Sequence, residues 1–121
     1  MNTFIERENR TKVQSKAYWR SSKQEKETAK RVGGRQIAGS GSGLKKGDVY
    51  KKEVVRIECK TTQRKSFSVT RDMCDKICAA AMPSGELPVL LIEFLDSKGK
   101  RECELAIVPF DQLLLLLNEK D

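Results

Sequence analysis

A segment with a period of two in the middle of the chain constrains the fold most. Apolar and charged residues alternate through residues 54–61, so that Val55, Ile57 and Cys59 would share one face, and Arg56, Glu58 and Lys60 the other. This alternation is typical of a β-strand whose two faces meet different surroundings. We predict a strand that packs its apolar face into a core and carries its charges on the opposite face.

The flanking patterns predict helices and further strands. A first helix, capped by Ser21 or Ser22, would end near Val32, where Gly33-Gly34 is a stop signal. A short strand begins at residue 48, and residues 51–53 are read as a turn. After the alternating strand, a helix capped by Thr70 would run to about Met82, before Pro83-Ser84-Gly85.

The C-terminal half predicts two more strands and a helix. Residues 89–95 are almost wholly apolar, which suits a central strand covered on both faces. Residues 96–99 form a hairpin turn into a strand at about 101–108, and a last helix follows with Asp111 as its cap and its leucines facing the sheet. The expected class is α/β: a mixed β-sheet flanked by helices, in the order α-β-β-β-α-β-β-α.

Length and composition limit the class of protein. The 121 residues suit one domain, with residues 1–20 as a basic N-terminal arm and 21–121 as the folded unit. The longest purely apolar run, Leu113 to Leu117, is too short to span a bilayer, and the N-terminus does not read as a secretory signal. The four cysteines lack zinc-site spacing, so we interpret them as buried reduced thiols of a cytoplasmic protein.

Charge is concentrated at the N-terminal end. Residues 1–35 hold ten Lys/Arg and four Asp/Glu, whereas the remainder holds fourteen and thirteen. A basic end on a nearly neutral body indicates a polyanionic partner, and nucleic acid is the one we favour; a solvated tail is the alternative. Residues 38–43 form a glycine-serine run, which is either a linker or a loop that closes on phosphate. It lacks the spacing of a Walker A loop.

Two acids and a lysine form the constellation that carries chemistry. Glu58 and Lys60 project from one face of the alternating strand, and Asp48 lies ten residues before Glu58 across a turn, within reach of the same place. Two carboxylates, a backbone carbonyl and waters make the oxygen shell that Mg²⁺ prefers. A lysine beside this shell can activate water or stabilise charge on a phosphate. The alternative is an ordinary surface pair on a solvated strand.

A family resemblance rests on several strings in order. Gly47-Asp48 followed by the string from Arg56 to Thr62, RIECKTT, resembles the signature of the PD-(D/E)xK nucleases. Within that superfamily the chain most resembles the Holliday-junction resolvases of archaea and their phage relatives. Acids in the first helix, the double glycine, residues 67–73 and residues 87–94 also match in order, although glycine, not proline, precedes Asp48.

The resemblance implies a restriction-endonuclease-like core and roles for matching positions. Asp48, Glu58 and the Cys59 carbonyl would hold Mg²⁺, with Mn²⁺ as a substitute, and Lys60 would be the catalytic lysine. Glu25 would help to position the attacking water, with Glu27 as its rival. A serine of the glycine-rich loop would join the site, which nominates Ser40 or Ser42, and Gln63 lies close enough to Lys60 to contact phosphate.

The resemblance also implies a partner and an assembly. We expect DNA, in particular a four-way junction, and a homodimer, because symmetric cuts need two sites. The residues expected to contact phosphates are Arg20, Lys23, Lys30, Arg31, Arg35, Lys45 and Lys46. The alternatives are a nicking, repair or restriction-type nuclease, and a basic DNA-binding module without catalysis. Tyr18-Trp19 would stack on bases or anchor the arm to the core.

Overall fold

The structure, a computed structural model, describes residues 20–37 and 48–119. Within these ranges the chain forms three helices and a five-stranded mixed sheet in the predicted order α-β-β-β-α-β-β-α. The helices are α1 (residues 20–32), α2 (Arg71–Ala81) and α3 (Phe110–Asn118). The strands are β1 (Arg35–Gln36), β2 (Val49–Lys51), β3 (Val55–Thr62), β4 (Leu87–Leu95) and β5 (Arg101–Ile107).

The sheet follows chain order, β1-β2-β3-β4-β5, with β3 and β4 as its single parallel pair in the described part of the chain. Helix α2 and a short 3₁₀ turn, Met82–Ser84, connect those two parallel strands, which cannot be joined by a tight turn. The sheet therefore has β1 and β5 at its edges, and the alternating strand β3 lies at its centre.

Each face of the sheet carries a helix. On one face, Ala29 of α1 packs with Val49, Ile57 and Val89, and the apolar side of β3 joins this core as its alternation predicts. On the other face, α2 lies over β3 and β4 and buries Ile77 and Ala81. The residues of β4 that alternate with Val89, namely Leu90 and Ile92, are buried as well. The prediction of a central strand covered on both faces is confirmed.

The double glycine after α1 has two separate physical reasons. Gly33 adopts φ of +69°, a left-handed conformation in which the helix can end. Gly34 has an ordinary φ, but a Cβ there would lie 2.4 Å from the carbonyl oxygen of Tyr50, so only glycine fits against β2. The predicted stop near Val32 is confirmed, whereas the predicted caps Ser21 and Ser22 lie inside the helix and are wrong.

Of the other two predicted helix caps, Thr70 is confirmed and Asp111 is wrong. Thr70 caps α2, because its hydroxyl accepts a hydrogen bond from the Met73 amide at 3.2 Å. Helix α3 instead has Pro109 at its N-cap, and Asp111 lies in its first turn, where an acid still favours the positive end of the helix dipole. The expected packing of its leucines on the sheet is also wrong, since no residue of α3 is buried.

The cysteines and the helices bear on two further predictions from the sequence. Cys59, Cys74, Cys78 and Cys103 are free thiols, but only the first three are partly buried, and Cys103 is exposed at the sheet edge. Within residues 20–37 and 48–119, no helix is long and apolar enough to cross a bilayer. The glycine-serine run and most of the basic arm, including Tyr18-Trp19, lie outside the described residues.

Candidate active site

The hairpin of β2 and β3 brings Asp48 close to Glu58. Val49 pairs with Ile57 in an antiparallel register, so Asp48 and Glu58 lie next to the same pair at the end of β2. The Asp48 amide donates to the Ile57 carbonyl at 2.9 Å, which holds Asp48 beside that pair. The two carboxylates are close enough for the charge of Asp48 to raise the pKa of Glu58. The ten-residue spacing of the two acids is thereby explained.

Lys60 and Glu25 complete a four-residue cluster. The Lys60 ammonium lies 3.5 Å from a carboxylate oxygen of Glu58 on the same face of β3. Glu25 reaches the cluster from α1. It shares a hydrogen bond with Asp48, and the charge of Glu58 raises its pKa. The rival acid, Glu27, points elsewhere and pairs with Arg101 at 2.8 Å. The structure therefore brings Glu25, and not Glu27, to the two strand acids.

The cluster is electrostatically unfavourable for its carboxylates. The pKa of Glu25 is raised to about 7, chiefly by burial and then by the charges of Asp48 and Glu58 and a hydrogen bond with Asp48, against an opposing hydrogen bond with Gln36. Burial also raises the pKa of Asp48, despite the Cys59 amide and the charge of Lys60. For Glu58, burial and then the charge of Asp48 raise the pKa. One lysine among three carboxylates leaves excess negative charge here.

The oxygen donors suit a hard divalent cation. Asp48 is almost fully buried, and one of its carboxylate oxygens, Oδ2, accepts a 2.8 Å hydrogen bond from the Cys59 amide, which fixes its orientation. Glu58 lies near Asp48 and keeps 29% of its side chain exposed. Two carboxylates and a nearby carbonyl are ligands that Mg²⁺ accepts together with waters. In residues 20–37 and 48–119, no three His, Cys, Asp or Glu side chains are grouped tightly enough to hold a metal by themselves.

Three contacts around the cluster escaped the sequence patterns. Gln24 is fully buried, and its side-chain amide donates to the Lys60 carbonyl at 2.9 Å, which ties α1 to the strand of the lysine. Gln36 of β1 hydrogen-bonds Glu25, and Lys76 of α2 lowers the pKa of Glu58 by its charge. No local pattern marks the contact of Gln24, because it joins residues 36 positions apart in the sequence.

An ion-pair network holds α1 on the sheet. Glu93 of β4 is fully buried, yet it accepts hydrogen bonds from Arg20, Arg101 and Thr61. Burial alone would raise its pKa, but the hydrogen bonds from the two arginines prevail and lower it. Arg20 and Arg101 both pair with Glu27 as well. The network therefore fixes the helix that carries Glu25.

The nominated DNA-contacting residues fall into three groups. The structure engages two of them in ion pairs, Arg20 with Glu93 and Arg31 with Glu104 at 2.8 Å. Exposed on the surface are Lys23, Lys30, Arg35 and Gln63. Outside the described residues lie Ser40, Ser42, Lys45 and Lys46. A phosphate-binding role is thus open to the exposed group, whereas Arg20 already holds α1 to β4.

Comparison with other proteins gives no relative for this chain. No family model matches it, no curated protein matches it, and no solved structure matches it. The structure defines the class as an α/β protein with a mixed sheet, and beside that sheet lie a lysine, the buried Asp48 and the partly buried Glu25 and Glu58.

Proposed function

We propose that the chain is a metal-dependent endonuclease that hydrolyses phosphodiester bonds of DNA at the Glu25–Asp48–Glu58–Lys60 cluster. The observation that carries the proposal is the convergence of three carboxylates and a lysine from one helix and two strands. Two of these carboxylates, Asp48 and Glu58, are brought close together by the hairpin of β2 and β3. The sequence of this hairpin resembles the PD-(D/E)xK signature, and that superfamily has a restriction-endonuclease-like core. This resemblance supports the same assignment.

The electrostatics favour a functional cluster over a structural one. Ionic groups that stabilise a fold pair with opposite charges, as Glu93 does with Arg20 and Arg101, and such pairing lowers a carboxylate pKa. In the Asp48 cluster the opposite holds, because burial raises all three pKa values, and the charge of Asp48 raises those of Glu25 and Glu58 further. Sites that work against stability in this way are typical of binding and catalysis. A divalent cation would supply the missing positive charge.

Each residue would then have a defined task. Asp48, Glu58 and the Cys59 carbonyl would hold Mg²⁺, or Mn²⁺ in its place, and the ion would supply Lewis-acid stabilisation of charge on the phosphate. Lys60 places its ammonium within 3.5 Å of Glu58, where it can donate to a phosphate oxygen as negative charge develops. Glu25, with a pKa of about 7, can accept a proton from a water near the scissile phosphate at neutral pH.

DNA is the polyanion that fits best, and a four-way junction is the specific substrate we propose. Exposed basic residues on α1 and β1 provide sequence-independent contacts to phosphates. A chain with one cluster cuts one strand, so paired cuts require two chains. The resemblance to resolvases supports a junction as the substrate, whereas the cluster itself supports the cleavage chemistry.

Incubation with labelled DNA tests the proposal. The purified protein is mixed with four-way junction, linear duplex and single strand, each with Mg²⁺ and with EDTA. We expect paired nicks in the junction with Mg²⁺ and none with EDTA. Cutting of duplex or single strand in preference would indicate a nicking, repair or restriction-type enzyme. Binding without cleavage of any substrate would indicate a DNA-binding module and reject the enzyme assignment.

Matched variants assign the cleavage to the cluster. Lys60→Ala and Asp48→Asn should each reduce the cleavage rate by at least roughly 100-fold with junction binding retained. Lys52→Ala removes an exposed lysine from the turn before β3, and Asp72→Asn neutralises an exposed acid of α2, so both controls should keep activity. Equal losses in the variants and their controls would contradict the assignment.

A further inference from the structure

Gln24 of α1 is a buried polar residue whose hydrogen-bonding capacity is only partly used. Its side chain is 0% exposed, and its Nε2 donates to the Lys60 carbonyl at 2.9 Å. Its amide oxygen has no hydrogen-bond partner in the part of the chain that the structure describes. Glu93, the other fully buried polar side chain of comparable size, has arginine donors at both carboxylate oxygens. Burial of a half-satisfied amide adds little to stability, so Gln24 calls for another explanation.

The hydrogen bond of Gln24 reaches the segment of β3 that carries the cluster. Strand β2 pairs with β3 only at residues 55–57, so the following residues of β3 lie past the end of that partner. There the Cys59 amide donates to Asp48 Oδ2 at 2.8 Å, and the Lys60 carbonyl accepts from Gln24. The Cys59 carbonyl, a proposed metal ligand, lies in the peptide unit between these two groups. Side chains from outside β3 thus hold the backbone on both sides of that carbonyl.

Adjacent residues of α1 supply this contact and the third acid of the cluster. Successive side chains of a helix point about 100° apart, so Gln24 faces β3 while Glu25 reaches Asp48. The Glu93 network holds α1 to β4 and β5 through Arg20 and Glu27. Gln24 instead joins α1 to the backbone of β3 at Lys60 itself. Its bond therefore bears directly on the distance between Glu25 and Lys60.

We infer that Gln24 is a positioning residue, which holds the Cys59–Lys60 segment in register with Glu25. Because its side chain is buried, Gln24 contacts neither DNA nor the metal ion and acts through Lys60 and the Cys59 carbonyl. The inference rests on the proposed function, since that function defines the reaction. The alignment of the metal ligands, however, can be measured without DNA.

Replacement of the amide by an apolar chain of similar length tests the inference. Gln24→Met should raise the dissociation constant for Mn²⁺, measured by calorimetry on the full chain without DNA, by about 10-fold. With junction DNA and Mg²⁺ it should lower kcat by about 10- to 100-fold and leave KM within about twofold. The urea concentration at the midpoint of unfolding should change little, because one hydrogen bond and one unsatisfied amide oxygen are lost together.

Thr28→Val is the matched control. Thr28 lies one turn further along α1, is 3% exposed, and has its hydroxyl beside the Cys59 thiol and not at a backbone carbonyl of β3. The substitution removes a buried polar group and spares the contact with Lys60. This control should keep the parent values of Mn²⁺ affinity, kcat and unfolding midpoint.

Several results would overturn the inference: unchanged Mn²⁺ affinity and kcat in Gln24→Met, equal losses in both variants, or losses that follow the folded fraction. If Gln24→Met does not fold, Gln24→Leu replaces it, and failure of both to fold would assign Gln24 to stability alone. An unmodified protein that binds Mn²⁺ but cuts no DNA rejects the nuclease, and calorimetry then decides the role of Gln24. A protein that neither binds Mn²⁺ nor cuts DNA overturns both proposals.

Discussion

Removing the charge of Glu25 should stabilise the metal-free protein, and this sets the proposed site apart from a structural cluster. The pKa of Glu25 is raised from 4.5 to about 7, first by burial and then by the charge of Asp48. The folded chain therefore binds this proton more tightly than the unfolded chain does. The contribution of Glu25 to the free energy of unfolding is greatest below pH 4.5 and is lost as the pH rises through about 7.

The size of the effect follows from the shift. One pKa unit corresponds to about 1.4 kcal/mol, so ionised Glu25 costs at most about 3 kcal/mol of unfolding free energy at pH 8. Because the group is partly exposed and screened by solvent, we expect about 1–2 kcal/mol. Glu25→Gln keeps a donor toward Asp48 and lacks the charge. It should raise the free energy of unfolding by that amount at pH 8, with little change at pH 4.

The assay is unfolding by urea in the presence of EDTA at both pH values, with circular dichroism as the readout. Glu27→Gln is the matched control two residues along α1, and it removes an acid that pairs with Arg101 at 2.8 Å. This control should lower stability by up to about 1 kcal/mol and give no gain at pH 8. If Glu25→Gln destabilises the protein equally at both pH values, the repulsive cluster does not exist as described.

Two further substitutions test the fold, and alkylation tests the exposure of the thiols. Gly34→Ala should lower the free energy of unfolding by about 2–3 kcal/mol, since its Cβ would meet the Tyr50 carbonyl at 2.4 Å; a thermal melt unchanged from the parent would refute this contact. Glu93→Gln should lower the free energy of unfolding by about 3 kcal/mol at pH 7, because Arg20 and Arg101 lose their buried, charged partner. Because those partners lower the pKa of Glu93, the difference should shrink as the pH falls through the acidic range, and a constant difference in chemical unfolding would contradict the ion-pair explanation. Mass spectrometry after brief alkylation should find exposed Cys103 modified first and Cys59 last, since burial raises the pKa of the Cys59 thiol to about 12, and early labelling of Cys59 would argue against its burial.

Sequence patterns predicted the parts of the fold that local chemistry controls. The alternation of β3, the apolar run of β4, the Thr70 cap and the stop after α1 all depend on residues close together in the chain. The placement of Asp48 near Glu58 belongs to the same class, because a hairpin register follows from a short turn. The order of elements was predictable for this reason.

Contacts between distant elements were not predictable from pattern. Ser21 and Ser22 have good cap chemistry, yet α1 already includes Arg20, whose side chain is held by Glu93 from a strand seventy-three residues away. The leucines of α3 were expected against the sheet because apolar residues favour burial, but nothing in their spacing says which surface covers them. Whether Glu25 or Glu27 joins the cluster depends on the rotation of α1, which Glu93 and Gln24 set through tertiary contacts.

The short β2–β3 hairpin has a consequence for how the site assembles during folding. Asp48, Glu58 and Lys60 lie within one hairpin, so their approach requires only a small loop to close, whereas Glu25 must be brought in by α1 across a much longer loop. A chain that has formed this hairpin alone already presents two of the proposed metal ligands. Metal ions would then bind partly folded chains too, and would stabilise the native state by less than their affinity for it implies.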